Sequence, residues 1–104
     1  MTTLSTHVLD TSTGEPAVGV RVHLSRRDGD EWSMVGEAVT DSDGRVPGFG
    51  DLAGGRYRLG FETAEYGFDF FPYVHVVFEI DPDRARYHIP LLLGPYGFTT
   101  YRGS

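Results

Sequence analysis

Apolar and polar residues alternate with period two along most of this chain, and turn residues interrupt the alternation at short, regular intervals. Val18, Val20, Val22 and Leu24 fall on one face, with Arg21, His23 and Ser25 on the other. The turn Arg27-Asp28-Gly29-Asp30 predicts a returning strand over residues 31–40. Tyr57, Leu59 and Phe61 alternate with Arg58, Gly60 and Glu62, and Val74, Val76, Phe78 and Ile80 with His75, Val77 and Glu79. Near the end, Ile89-Pro90-Leu91-Leu92-Leu93, the turn Gly94-Pro95-Tyr96-Gly97 and Phe98-Thr99-Thr100 read as a hairpin. Short strands at this spacing predict an all-β antiparallel sandwich. Two stretches break the pattern. Thr63-Ala64-Glu65-Tyr66 predicts one short helix with Thr63 as N-cap, ended by Phe70-Phe71-Pro72, and residues 46–55, rich in Gly and Pro, predict a loop.

Composition narrows what such a sandwich does. At 104 residues, with no repeat or linker, the expectation is one domain spanning residues 1–104. A net charge of −6, with no basic run longer than Arg26-Arg27, argues against a nucleic-acid partner. The chain has no Cys, which removes thiolate chemistry and cysteine-ligated zinc. It also has no Lys, Asn or Gln, so Schiff-base catalysis is excluded. An oxyanion would have to be met by Arg, His, a hydroxyl or a backbone amide. No leader-like segment precedes Leu4, and no stretch approaches the ~20 apolar residues that span a membrane. A soluble, cytoplasmic protein is expected.

Few side chains remain to carry chemistry. His7, in Leu4-Ser5-Thr6-His7-Val8-Leu9-Asp10, shares a strand face with Ser5 and Leu9, and fits an edge-strand histidine as well as a working one. Arg45 follows the turn Thr40-Asp41-Ser42-Asp43-Gly44. That turn is no calcium loop, because Leu52 stands where a closing Glu is required. His88 shares a face with Pro90 and Leu92 in an apolar strand, where burial can tune a general acid or base or merely hold a core histidine. His23 and His75 read as surface residues, and no His-x-x-x-His spacing points to a metal. The sequence ends Tyr101-Arg102-Gly103-Ser104, a polar segment that the hairpin would deliver to a fixed place.

Together, the segment Leu4 to Asp10, the turn Thr40 to Arg45, Tyr87-His88-Ile89-Pro90-Leu91-Leu92-Leu93 and the final Tyr101-Arg102-Gly103-Ser104 resemble the transthyretin-related proteins, on their 5-hydroxyisourate hydrolase branch. The resemblance runs from Leu4 to Ser104, and the final tetrapeptide is its most specific part. It implies a transthyretin-like sandwich of two four-stranded sheets with one short helix, assembled as a homotetramer with sites where dimers face each other. It further implies a metal-independent, cofactor-free hydrolase of urate breakdown. The catalytic set would be His7, Arg45, His88 and Ser104, with Tyr101, Arg102 and Gly103 binding substrate. Arg86 stands where many members have His, Gly94 where Ser precedes the proline, Phe98-Thr99 for Tyr-Ser, and Val46 for a frequent Cys. The rival within the family is a thyroid-hormone carrier, a branch marked by loss of the histidines, the turn arginine and the final Arg-Gly-Ser. This chain keeps all of them.

Overall fold

The alternation folds as two stacked sheets in a computed structural model that describes residues 2–104. In chain order the elements are β1 (Thr3–Asp10), β2 (Glu15–Pro16), β3 (Arg21–Asp28), β4 (Glu31–Val39), β5 (Arg45–Val46) and β6 (Gly55–Phe61). They continue with α1 (Thr63–Tyr66), β7 (Val74–Ile80), β8 (Arg86–Leu93) and β9 (Phe98–Thr100). One sheet has the order β2-β1-β8-β9 and the other β4-β3-β6-β7. Two-residue β5 pairs with β1 off the first path, giving that sheet a fifth short strand beyond the expected four.

Burial decides which way each strand faces. β1 points Leu4, Thr6, Val8 and Asp10 inward, and β8 buries Tyr87, Ile89, Leu91 and Leu93. They meet Val22, Leu24, Tyr57, Leu59, Phe61 and Val74 of the other sheet. Each fully buried aliphatic side chain contributes roughly 1.5–3 kcal/mol, so a one-residue slip of β1 would forfeit several such terms. That penalty fixes Ser5 and His7 on the outer face. The polar side chains that β1 turns inward are hydrogen-bonded: Thr6 Oγ1 donates to the Ile89 carbonyl at 2.6 Å, and the buried Asp10 accepts from Tyr66 Oη at 2.7 Å.

The structure revises five further sequence expectations. β1 and β8 run parallel, although every other strand pair is antiparallel. Between these two partners the chain passes through the opposite sheet, so no local turn dictates their direction. Val18 is exposed because it lies in the turn before β3, where Gly19 takes a positive φ of 79°. The helix cap is Glu62 rather than Thr63, whose hydroxyl instead donates to the Phe71 carbonyl. The helix also stops at Gly67, whose positive φ of 125° ends it before Phe70. His23 is largely covered rather than a surface residue. Opposite it Gly60 has no side chain, and the ring fills that space beside Glu62, 3.3 Å away.

Candidate active site

The outer face of the β1–β8 sheet gathers most of the residues singled out in the sequence. Parallel register sets Ser5 opposite His88, and antiparallel β5 sets Arg45 opposite His7. Beyond β9 the chain returns to β8 through a bridge between His88 and Gly103, whose N–H donates to the His88 carbonyl at 2.6 Å. Residues remote in sequence thus become neighbours through strand pairing alone.

Arg45 is placed by its turn. The Asp41 carboxylate accepts hydrogen bonds from the N–H of Asp43 at 2.9 Å and of Arg45 at 3.0 Å. These two bonds, led by that from Arg45, hold the Asp41 carboxyl below its ordinary value. Gly44 packs tightly into the structure at a positive φ of 74°, and a Cβ there would lie 2.5 Å from the Val8 carbonyl oxygen. The acidic residues and glycine that resembled a calcium loop therefore form a bracket for one arginine.

His88 is wedged between two supports. Its Nδ1 lies 2.8 Å from Ser5 Oγ, and a Cβ at Gly103 would come within 2.7 Å of its Cδ2. Only glycine lets the final segment close over the ring without displacing it. Burial pushes the imidazole below its ordinary value, and the charges of Arg45 and His7 push in the same direction. A hydrogen bond to the Ser5 backbone opposes them and is outweighed. His88 is consequently neutral near pH 7, the form in which an imidazole accepts a proton.

An open cavity of about 640 Å³ joins these groups, with Ser5, Arg45, Arg84, Arg86, His88 and Ser104 on its wall. No Asp or Glu side chain is among its lining residues. His7 stands just outside the wall, across the strand pair from Arg45. Tyr101 and Arg102 turn away, lining a separate cleft of about 290 Å³ with Val76, Phe78 and Ile89. Ser5, Arg84 and Arg86, all on the wall, carried no site role in the sequence reading. Ser5 shared a face with His7 in the alternation, but its partner His88 became visible only through the β1–β8 register. Among the described residues, no three His, Asp or Glu side chains gather where they could hold a metal ion.

Comparison with known proteins adds to this geometry. The sequence profile of the HIUase/Transthyretin family matches residues 4–103. The chain is similar to 5-hydroxyisourate hydrolase of Mus musculus, with 42% identity over 97% of this chain and 94% of the relative. Among solved structures it is similar to Klebsiella pneumoniae 5-hydroxyisourate hydrolase, with a TM-score of 0.89, 40% identity and complete coverage of both chains. Sea bream transthyretin in complex with thyroxine also gives a TM-score of 0.89, at 30% identity over 96% of this chain and 93% of that one. Equal structural similarity to hydrolase and carrier leaves the fold silent on activity; the side chains of the cavity must decide.

Proposed function

The chain belongs to the HIUase/transthyretin family, and on that footing we propose that it is a 5-hydroxyisourate hydrolase of urate breakdown. The reaction adds water across the N1–C6 amide bond of the six-membered ring and yields 2-oxo-4-hydroxy-4-carboxy-5-ureidoimidazoline. One observation carries the reading: Arg45, His88 and Ser104 share a single cavity, with His7 opposite Arg45 on the neighbouring strand. A carrier's ligand pocket has no need of a neutral imidazole beside a fixed guanidinium.

In the proposed mechanism, water attacks C6 while a histidine takes its proton. His88 is the better placed base, because it is neutral and on the cavity wall. As charge develops on the C6 oxygen, Arg45 meets it with a rigid fork of donors. His7 helps to orient the substrate beside Arg45, and the Ser104 hydroxyl hydrogen-bonds the substrate or the attacking water. The proton on His88 is then delivered to the departing N1, which opens the ring and leaves the new carboxylate. Gly103 keeps the final segment against His88. For Tyr101 and Arg102 the reading assigns support of that segment from the adjoining cleft.

The proposal extends to assembly and location. A single domain of residues 1–104 would form a homotetramer, a dimer of dimers, with the β1–β8 face turned toward another copy. Free edges at β7 and β9 support this, since exposed Tyr73, Val77, Phe98 and Tyr101 lie along or beside them. No helix among the described residues is long and apolar enough to cross a membrane. A cysteine-free chain needs no oxidising compartment, which supports the cytoplasm. The activity is tested by generating 5-hydroxyisourate with urate oxidase and following its ultraviolet decay. The full chain should accelerate decay, and a variant lacking Arg102, Gly103 and Ser104 should lose most of that acceleration. Tight binding of thyroxine without any acceleration would favour the carrier.

A further inference from the structure

The contact between Ser5 and His88 is the least explained feature of the cavity. Ser5 lies on the outer face of β1, directly opposite His88 in the parallel register, and its hydroxyl is 2.8 Å from Nδ1. Among the described residues, no other side chain hydrogen-bonds the His88 ring. On the opposite side Gly103 closes against Cδ2, so the ring cannot turn away from Ser5 without meeting the backbone.

A serine hydroxyl can donate or accept, so this bond permits either neutral tautomer. The surroundings choose between them. Arg45, Arg84 and Arg86 line the cavity beside His88, and guanidinium groups can only donate. A ring lone pair facing the cavity is stabilised by such neighbours, whereas a second N–H there would oppose them. The proton then belongs on the Ser5 side, where the hydroxyl oxygen can accept it. Because Ser5 lines the cavity, its own hydroxyl hydrogen remains free to turn toward water.

We infer that Ser5 is the positioning residue of the site: it accepts the Nδ1 proton of His88 and holds the Nε2 lone pair toward the substrate cavity. The catalytic consequence rests on the hydrolase reading above, but the tautomer itself does not. Nuclear magnetic resonance of protein labelled with ¹⁵N at histidine reads that tautomer directly. The intact chain should show His88 protonated at Nδ1 and bare at Nε2, with that preference weakened in Ser5→Ala. Loss of the bond also removes a contact that favours the cationic ring, so the low-pH limb of kcat should move to lower pH in Ser5→Ala. Its kcat at the optimum should fall about fivefold to tenfold, the effect of losing one ordinary hydrogen bond, with little change in KM. Ser5→Thr keeps the hydroxyl and should stay within about twofold of the intact chain. An Nε2–H tautomer in the intact protein would overturn the inference, as would a folded Ser5→Ala with unaltered kcat and pH profile. Absence of hydrolysis in the intact chain, with His88 still protonated at Nδ1, would instead sink the hydrolase reading alone.

Discussion

At the scale of residues, the proposed hydrolysis places two opposing demands on His88. Its ring must stay neutral to accept a proton, yet remain basic enough to accept it from water. Burial is the largest downward pressure on its proton affinity, and the charge of Arg45 the next. Replacing Arg45 with Gln removes a positive neighbour, so the His88 imidazole should titrate at a higher pH. The low-pH limb of the kcat profile should therefore shift upward, while kcat falls about 10²–10³-fold through loss of the proposed oxyanion donor. A pH profile with its limb unmoved would show that Arg45 does not act on His88. Much of this is legible in the sequence, since His7, Arg45 and His88 stand out by type and motif. Ser5 did not, because a serine in a strand carries no signal until its partner across the sheet is known. His23 misled for the converse reason. A histidine on a polar face counts as exposed until the glycine opposite makes room for the ring.

At the scale of elements, short pieces of backbone set the geometry. The Asp41–Arg45 turn fixes one arginine, the β1–β8 pair fixes the histidine and serine, and Gly103 latches the final segment onto β8. The latch yields a clean test. In Gly103→Ala the new Cβ would crowd His88 Cδ2 at 2.7 Å, so the ring or the segment must shift. Displacement by about 1 Å is enough to cost ~10²-fold in rate. The expected result is a kcat lowered by about that factor, with the melting temperature nearly unchanged because the bridge lies outside the core. Wild-type kcat in this variant would contradict the role given to the latch. Strand faces were readable from period-two alternation, and the hairpin from its Gly94 to Gly97 turn, closed by the Gly94 N–H donating to the Gly97 carbonyl at 2.9 Å. Pairing was not readable to the same degree. The parallel β1–β8 contact joins residues more than eighty positions apart, and alternation is the same whichever way a partner runs.

At the scale of the molecule, charge is distributed against the average. The chain carries a net charge of −6, yet the cavity wall presents Arg45, Arg84 and Arg86 with no carboxylate side chain among its lining residues. Such a focus of positive charge suits an electron-poor, carbonyl-rich ring that becomes a carboxylate as it opens. The same molecule leaves apolar side chains along the β7 and β9 edges, where another copy would find unpaired strand groups. Sandwich architecture alone would serve hydrolase and carrier equally, as the matching TM-scores indicate. The distinction rests on whether the neutral imidazole beside Arg45 moves a proton. Its most direct test is the rate of 5-hydroxyisourate decay with the intact chain and with His88→Ala, each confirmed to be folded. The intact chain should accelerate decay, and His88→Ala should lose about 10²–10⁴-fold of kcat. A folded His88→Ala protein with near-intact activity would contradict the account.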